Sequence, residues 1–168
     1  HSLSRRQAVK LLAAASLIPL ATSASAEQTF SIVALGDSLT AGYGVDDSEA
    51  YPALLEKRLH LDGFFFKVIN AGISGETSSG TLSRIEWVIR SLKPNIIILE
   101  TGANDGLRGV DPKVLEENLD RIITIIKAHD IDILLAGMKI PPNLGPVHTA
   151  RFSSVYPDIA HKHHIPLI

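Results

Sequence analysis

From residue 30 onward, short apolar runs alternate with stretches of helical period, and that alternation leaves few folds open to the chain. The most restrictive run is Asn95 to Glu100, which contains Ile96-Ile97-Ile98-Leu99. As a strand it is apolar on both faces, and such strands belong to parallel sheets covered by helices on both sides. Phe30 to Leu35, Phe65 to Asn70 and Ile131 to Ala136 read as further strands, and Ile165 to Ile168 begins a fifth. Between them, Ala50 to Leu61 reads as a helix with Pro52 in its first turn and Asp62-Gly63 at its end. Thr81 to Leu92 places Leu82, Ile85, Ile89 and Leu92 at spacings of three and four, and Lys93-Pro94 stops it. Asp111-Pro112 is a cap followed by proline, and Leu115, Leu119, Ile122 and Ile126 line one face of the helix that follows. Met138 to Val147 reads as a loop, and His148 to His163 as a helix interrupted near Pro157. The expected architecture is α/β: three α/β/α layers around a flavodoxin-like parallel sheet of about five strands, in one domain over residues 27–168. The helix that should follow the fifth strand is missing, so the domain is expected to be truncated at its carboxyl end.

Composition narrows the class. The chain has 168 residues, 45% of them hydrophobic, with mixed charge and a formal net charge of -2. That suits a globular domain with a core and offers no basic surface for nucleic acid. There is no cysteine, which excludes disulfides, thiolate metal sites and a cysteine nucleophile. Residues 1–26 read as an export signal. Arg5-Arg6 and Lys10 precede the apolar run Leu11 to Ala21, and Ala24-Ser25-Ala26 supplies small residues before Glu27. The apolar run is too short to span a bilayer, so no stable membrane insertion is expected after signal removal. The paired arginines resemble a twin-arginine signal. The expected location is periplasmic or secreted, reached through the export machinery.

In open parallel sheets, ligands bind beyond the carboxyl ends of the strands. The first three strand ends here all carry polar, glycine-bearing sequence: Gly36-Asp37-Ser38, then Asn70 to Thr77, then Thr101-Gly102-Ala103-Asn104-Asp105-Gly106. A serine, a glycine N–H and an asparagine amide would meet in one crevice. Acyl transfer needs such a set, with a nucleophile and donors aimed at the oxygen that becomes negative. Asp37 reads as a loop-shaping residue that accepts from backbone N–H groups. Ser74, Thr77, Ser78 and Ser79 read as cap and turn residues, and Trp87 as packing. His161, His163 and His164 lack the carboxylate or cysteine partners of a metal site and read as a solvated helix end. No Gly-x-Ser-x-Gly elbow surrounds Ser38, which argues against the α/β-hydrolase fold.

Gly36-Asp37-Ser38-Leu39, Gly72 and Gly102-Ala103-Asn104-Asp105, in that order and each at a strand end, resemble the blocks of the SGNH hydrolases, also called the GDSL esterase and lipase family. Supporting stretches are Tyr51-Pro52-Ala53-Leu54-Leu55, Leu107-Arg108-Gly109 and Ser154-Val155-Tyr156-Pro157. The chain is most similar to the branch of exported bacterial arylesterases, lysophospholipases and acyl-CoA thioesterases. The resemblance implies the SGNH hydrolase fold and an exported serine hydrolase that cleaves small acyl esters or thioesters through an acyl-enzyme, with no cofactor and no metal. It implies Ser38 as nucleophile, and the N–H groups of Ser38 and Gly72 with the Asn104 side chain as the oxyanion hole. It also implies a mobile substrate-side loop at Ile140 to Gly145. The family completes its triad with an Asp-x-x-His block after the fifth strand, expected here beyond Ile168, without which residues 1–168 alone should hydrolyse little. Asp158-Ile159-Ala160-His161 has that spacing but precedes the fifth strand. A carbohydrate deacetylase of the same superfamily, a catalytically inactive binding homologue and a flavodoxin-like binding module are the competing readings.

Overall fold

The computed structural model describes residues 30–168, so the export segment 1–26 lies outside the described residues. Strands β1 (Ser31–Gly36), β2 (Lys67–Gly72), β3 (Ile96–Glu100) and β4 (Asp132–Ala136) form one sheet in the order β2-β1-β3-β4, with every neighbouring pair parallel. Leu167 adds a single parallel bridge to Leu135, which is the start of the expected fifth strand. The helices are α1 (Ser38–Ala41), α2 (Tyr51–Leu61), α3 (Ser78–Leu92), α4 (Ala103–Leu107), α5 (Pro112–Lys127) and α6 (Pro146–His163), with a 3-10 turn at Pro142–Leu144.

The chain leaves β1 toward β2 on one side and returns across β1 to β3 on the other. Right-handed crossovers therefore put α2 on one face and α3, α5 and α6 on the opposite face. In agreement, α2 packs on β2, while α3 packs on α5 and α5 on α6. The core joins Val33, Leu35, Ile97 and Leu99 of the sheet to Ile85 and Val88 of α3, to the Leu115, Leu119, Ile122 and Ile126 stripe of α5, and to Phe152 and Tyr156 of α6. The reversal of direction between β1 and β3 opens a crevice at their carboxyl ends. The strands also finish level: Gly36 pairs with Gly72, and Leu35 with Leu99. Three loops thus leave the sheet at one height.

Several elements differ from the sequence reading. Strand β2 begins at Lys67, because pairing with β1 starts at Ser31 and Lys67, and Phe64 and Phe65 stay exposed ahead of it. Helix α3 begins at Ser78, a turn earlier than its apolar period shows, because a carboxylate remote in sequence caps it: Asp105 Oδ2 accepts from Ser78 N–H at 2.7 Å and Oδ1 from Ser78 Oγ at 2.6 Å. Helix α6 starts at Pro146 and runs unbroken through Pro157. Pro157 and Ser153, whose carbonyl loses its helical partner, are both exposed, so water can take that bond. Trp87 is 60% exposed rather than packed. The short helices α1 and α4, both unforeseen, open the first and third loops.

Candidate active site

Ser38 is the first residue of α1, two residues past the end of β1, with Asp37 between them. A Cβ at Gly36 would collide with Thr40 Oγ1 and Glu100 Oε2, so only glycine lets the strand end pass so close to its neighbours. Asp37 is buried and caps α1, its Oδ1 accepting from Leu39 N–H at 3.1 Å, the loop-shaping role expected of it. Helix α1 closes at Gly42, φ 82°, whose N–H returns to the Ser38 carbonyl at 3.1 Å. Ser38 itself is half-buried, and its N–H finds no backbone acceptor among the described residues.

The second loop places its glycines differently from the sequence reading. Gly72 N–H, expected to face the substrate, donates to Asn70 Oδ1 at 2.9 Å. A Cβ at Gly72 would strike the Ala41 backbone, so this glycine serves the close approach of β2 to α1. Gly75, three residues on, is exposed at φ 79° and its N–H has no backbone acceptor among the described residues. Its loop is tied down around it. Arg84 grips Glu76 with two bonds, Nε to Oε1 at 2.8 Å and Nη2 to Oε2 at 2.7 Å, and reaches the Ala71 carbonyl at 2.8 Å. Arg108 Nη2 donates to the Gly75 carbonyl at 2.8 Å.

In the third loop, Gly102 adopts φ 113° and caps α4 where a Cβ would meet Tyr156 Oη and Leu115. Asn104 follows, half-buried, and its Nδ2 donates to Asp37 Oδ2 at 3.1 Å and to the Glu76 carbonyl at 2.9 Å. One amide therefore joins all three loops. Donation to a substrate oxygen requires it to share or release one of those bonds. Asp105 points the other way and anchors α3, where Asn118 Nδ2 adds a bond to Ser78 Oγ at 2.8 Å.

Glu100, which the sequence reading passed over, lies beneath the first loop. Its Oε2 accepts from Asp37 N–H at 3.1 Å and from Thr40 Oγ1 at 2.7 Å. Burial pushes its carboxyl up to about 7, with the nearby Asp37 carboxylate acting in the same direction and the Thr40 bond opposing it. Its signal in the sequence was an acid closing an otherwise aliphatic strand. Tyr156 Oη donates to the Thr101 carbonyl at 2.9 Å, and burial raises its phenol above the usual range.

Asp158 and His161 lie on the exposed side of α6, His161 in its last turn. A helix that crosses between parallel strands runs against them, so its carboxyl end sits at the opposite end of the sheet from Ser38. His163 Nε2 instead meets Asp120 Oδ1 at 2.6 Å, beside Lys162 Nζ at 2.7 Å. Among the described residues, no group of three His, Cys, Asp or Glu could hold a metal, and no helix is long and apolar enough to cross a membrane.

A parallel sheet with a serine after its first strand, and loops from the next two strands joined to the residue before that serine through Asn104, has the fold of the SGNH hydrolases. The chain belongs to the GDSL-like lipase/acylhydrolase family, whose model matches residues 34–168. It is 39% identical over 158 residues to a protein named esterase TesA from Pseudomonas aeruginosa, covering 94% of this chain and 78% of that one. It is 38% identical over 152 residues to thioesterase 1/protease 1/lysophospholipase L1 of Escherichia coli K12, covering 90% of this chain and 71% of that one. Among solved structures, AlinE4, described as an SGNH-hydrolase family esterase, superposes with a TM-score of 0.81 at 43% identity, over 84% of this chain and 76% of that one. The chain is an ester-hydrolysing enzyme.

Proposed function

We propose that the protein cleaves carboxylic esters or thioesters through an acyl-enzyme on Ser38. The Oγ attacks the carbonyl carbon, its proton passes to a base, and the alcohol or thiol leaves when the tetrahedral intermediate collapses. Water then releases the acid by the same route. No histidine hydrogen-bonds Ser38 among the described residues; the family resemblance assigns the base to an Asp-x-x-His block after the fifth strand. The oxyanion donors are Ser38 N–H, Asn104 Nδ2 and, in place of Gly72, Gly75 N–H. The observation that supports this reading is the Asn104 amide, 3.1 Å from Asp37 Oδ2 and 2.9 Å from the Glu76 carbonyl, which ties the second and third loops to the residue before the serine. Exposed Leu39, Ile73 and Leu107 on the same three loops suit an acyl chain. The names of the relatives, an esterase and a thioesterase 1/protease 1/lysophospholipase L1, support both ester and thioester substrates. Export through residues 1–26 to the periplasm or medium completes the reading, and cell fractionation of the tagged protein tests it.

In the full-length protein, Ser38→Ala is expected to abolish p-nitrophenyl ester hydrolysis with an unchanged circular dichroism spectrum. Asn104→Ala is expected to lower kcat by about 10²–10³. Activity surviving in Ser38→Ala would remove the nucleophile. A structure with a phosphonate on Ser38 decides between the two glycines: its oxygen should lie within hydrogen-bond distance of Gly75 N rather than Gly72 N.

A further inference from the structure

Hydrolysis as described leaves one buried acid without a task. Glu100 closes β3 level with Gly36 and is only 4% exposed. Its Oε2 accepts two bonds, from Asp37 N–H and Thr40 Oγ1, while its Oε1 is buried with no partner among the described residues. The groups around it offer no compensating charge. From the β1–α1 junction comes the Asp37 carboxylate, which accepts from Leu39 N–H and Asn104 Nδ2. From α2 comes the Tyr51 hydroxyl, 3.2 Å from Thr40 Oγ1. Tyr156 of α6 donates to the Thr101 carbonyl instead. Of the cations at this end of the sheet, Arg84 of α3 is committed to Glu76 and to the Ala71 and Gly36 carbonyls, and Arg108 of the third loop to the Gly75 carbonyl. An ionised Glu100 would hold a charge in a dry site, beside a second carboxylate, with one oxygen unpaired. A neutral carboxyl fits better. Its carbonyl oxygen takes both donors, and its hydroxyl costs far less to leave unpaired.

We propose that Glu100 is a positioning residue that works as a neutral acid, holding the Gly36–Asp37 peptide and α1 in place under Ser38 and keeping a further negative charge away from the oxygen that becomes anionic. The role rests on the Ser38 reading of the reaction. Burial places its ionisation near 7, so the constraint is released within the working pH range of a hydrolase. Above that pH, a charge under the nucleophile loop opposes the developing oxyanion and repels Asp37.

The test compares kcat/KM for p-nitrophenyl acetate between full-length wild type and Glu100→Gln from pH 5.5 to 9. The glutamine carbonyl keeps both hydrogen bonds and cannot ionise. Taking the ratio cancels the titration of the shared base. The ratio of variant to wild type is expected to rise by roughly tenfold through a midpoint near 7. A ratio that does not change with pH overturns the proposal, since a merely structural residue lowers activity equally at every pH. Should Glu100→Gln not fold, the ¹³C carboxyl resonance of Glu100 in the wild-type protein decides the matter. A midpoint near 7 supports the neutral acid, and one in the ordinary carboxylate range overturns it. That resonance is independent of turnover, so absence of esterase activity in the wild type would sink the Ser38 reading separately.

Discussion

The Arg84–Glu76 pair ties the second loop to α3 and to the end of β2. Glu76 is half-buried with its side chain 8% exposed, and its two carboxylate oxygens take Arg84 Nε, Arg84 Nη2 and Thr81 Oγ1. Arg84 also reaches the end of β2 through the Ala71 carbonyl. Removing the arginine strands a largely covered carboxylate, so Arg84→Met is expected to destabilise the protein by about 2–4 kcal/mol in urea denaturation, somewhat under the cost of breaking a fully buried pair. Adding Glu76→Gln should recover a large part of that loss. If the double variant is no more stable than the single one, the pair does not act as a buried ion pair. Neither residue stood out in the sequence. Ser38 and Asn104 did, because a nucleophile and an amide at strand ends carry recognisable chemistry. Glu100 acts through partners some 60 residues away and Arg84 through a carboxylate eight residues back, outside the helical spacing of three or four, and nothing local in the sequence marks either pairing. Gly72 and Gly75 look alike in the sequence as glycines of one loop, and only the structure shows that the Gly72 N–H is taken by Asn70 and that its missing side chain admits the Ala41 backbone.

Helix starts show the same division between local and remote causes. The start of α5 was legible because its cap is local: Asp111 Oδ1 accepts from Lys113 N–H at 3.0 Å, with Pro112 at the first position. The start of α3 was not, because its carboxylate comes from α4. Asp105 takes both the N–H and the hydroxyl of Ser78, and Asn118 of α5 closes the group. This buried cluster ties the helix after the second loop to the helix of the third. Asp105→Ala leaves a buried N–H and hydroxyl without their charged acceptor, at an expected cost of about 2–3 kcal/mol measured by the denaturant midpoint. Amide exchange should accelerate in the first turn of α3 before the rest of the helix. Uniform exchange along α3 in the variant would mean that Asp105 does not cap it. The unbroken course of α6 through Pro157 has the opposite lesson. A proline forbids a bond, but here its face is open to solvent, and packing of Phe152, Val155, Tyr156 and Ile159 keeps the helix whole.

At the scale of the molecule, the alternation of runs and periods implies a parallel sheet, and the flavodoxin-like architecture expected for it carries the observed strand order β2-β1-β3-β4 that creates the crevice. That order has an energetic consequence. Bringing β1 and β3 side by side, level at Leu35 and Leu99, buries the Asp37 and Glu100 carboxyls together. The folded chain therefore holds the Glu100 proton more tightly than the unfolded chain does, with the carboxyl raised from 4.5 to about 7. The group's effect on folding is neutral while both states are protonated, below about 4.5. Stability is then lost as pH rises from there to about 7, because the unfolded chain ionises first. The full difference corresponds to an upper limit of about 3 kcal/mol. Asp120 works against this trend at low pH. Its bonds to Lys162 and His163 hold it below the usual carboxylate range, so its small, solvent-screened contribution is present at neutral pH and lost on acidification. Between pH 5 and 8 the Glu100 effect should therefore dominate the difference between wild type and Glu100→Gln. Urea midpoints of the wild type are expected to fall across that interval relative to those of the variant, whose amide has no proton to lose. Parallel midpoints for the two proteins at every pH would show that burial in this sheet leaves Glu100 an ordinary carboxylate.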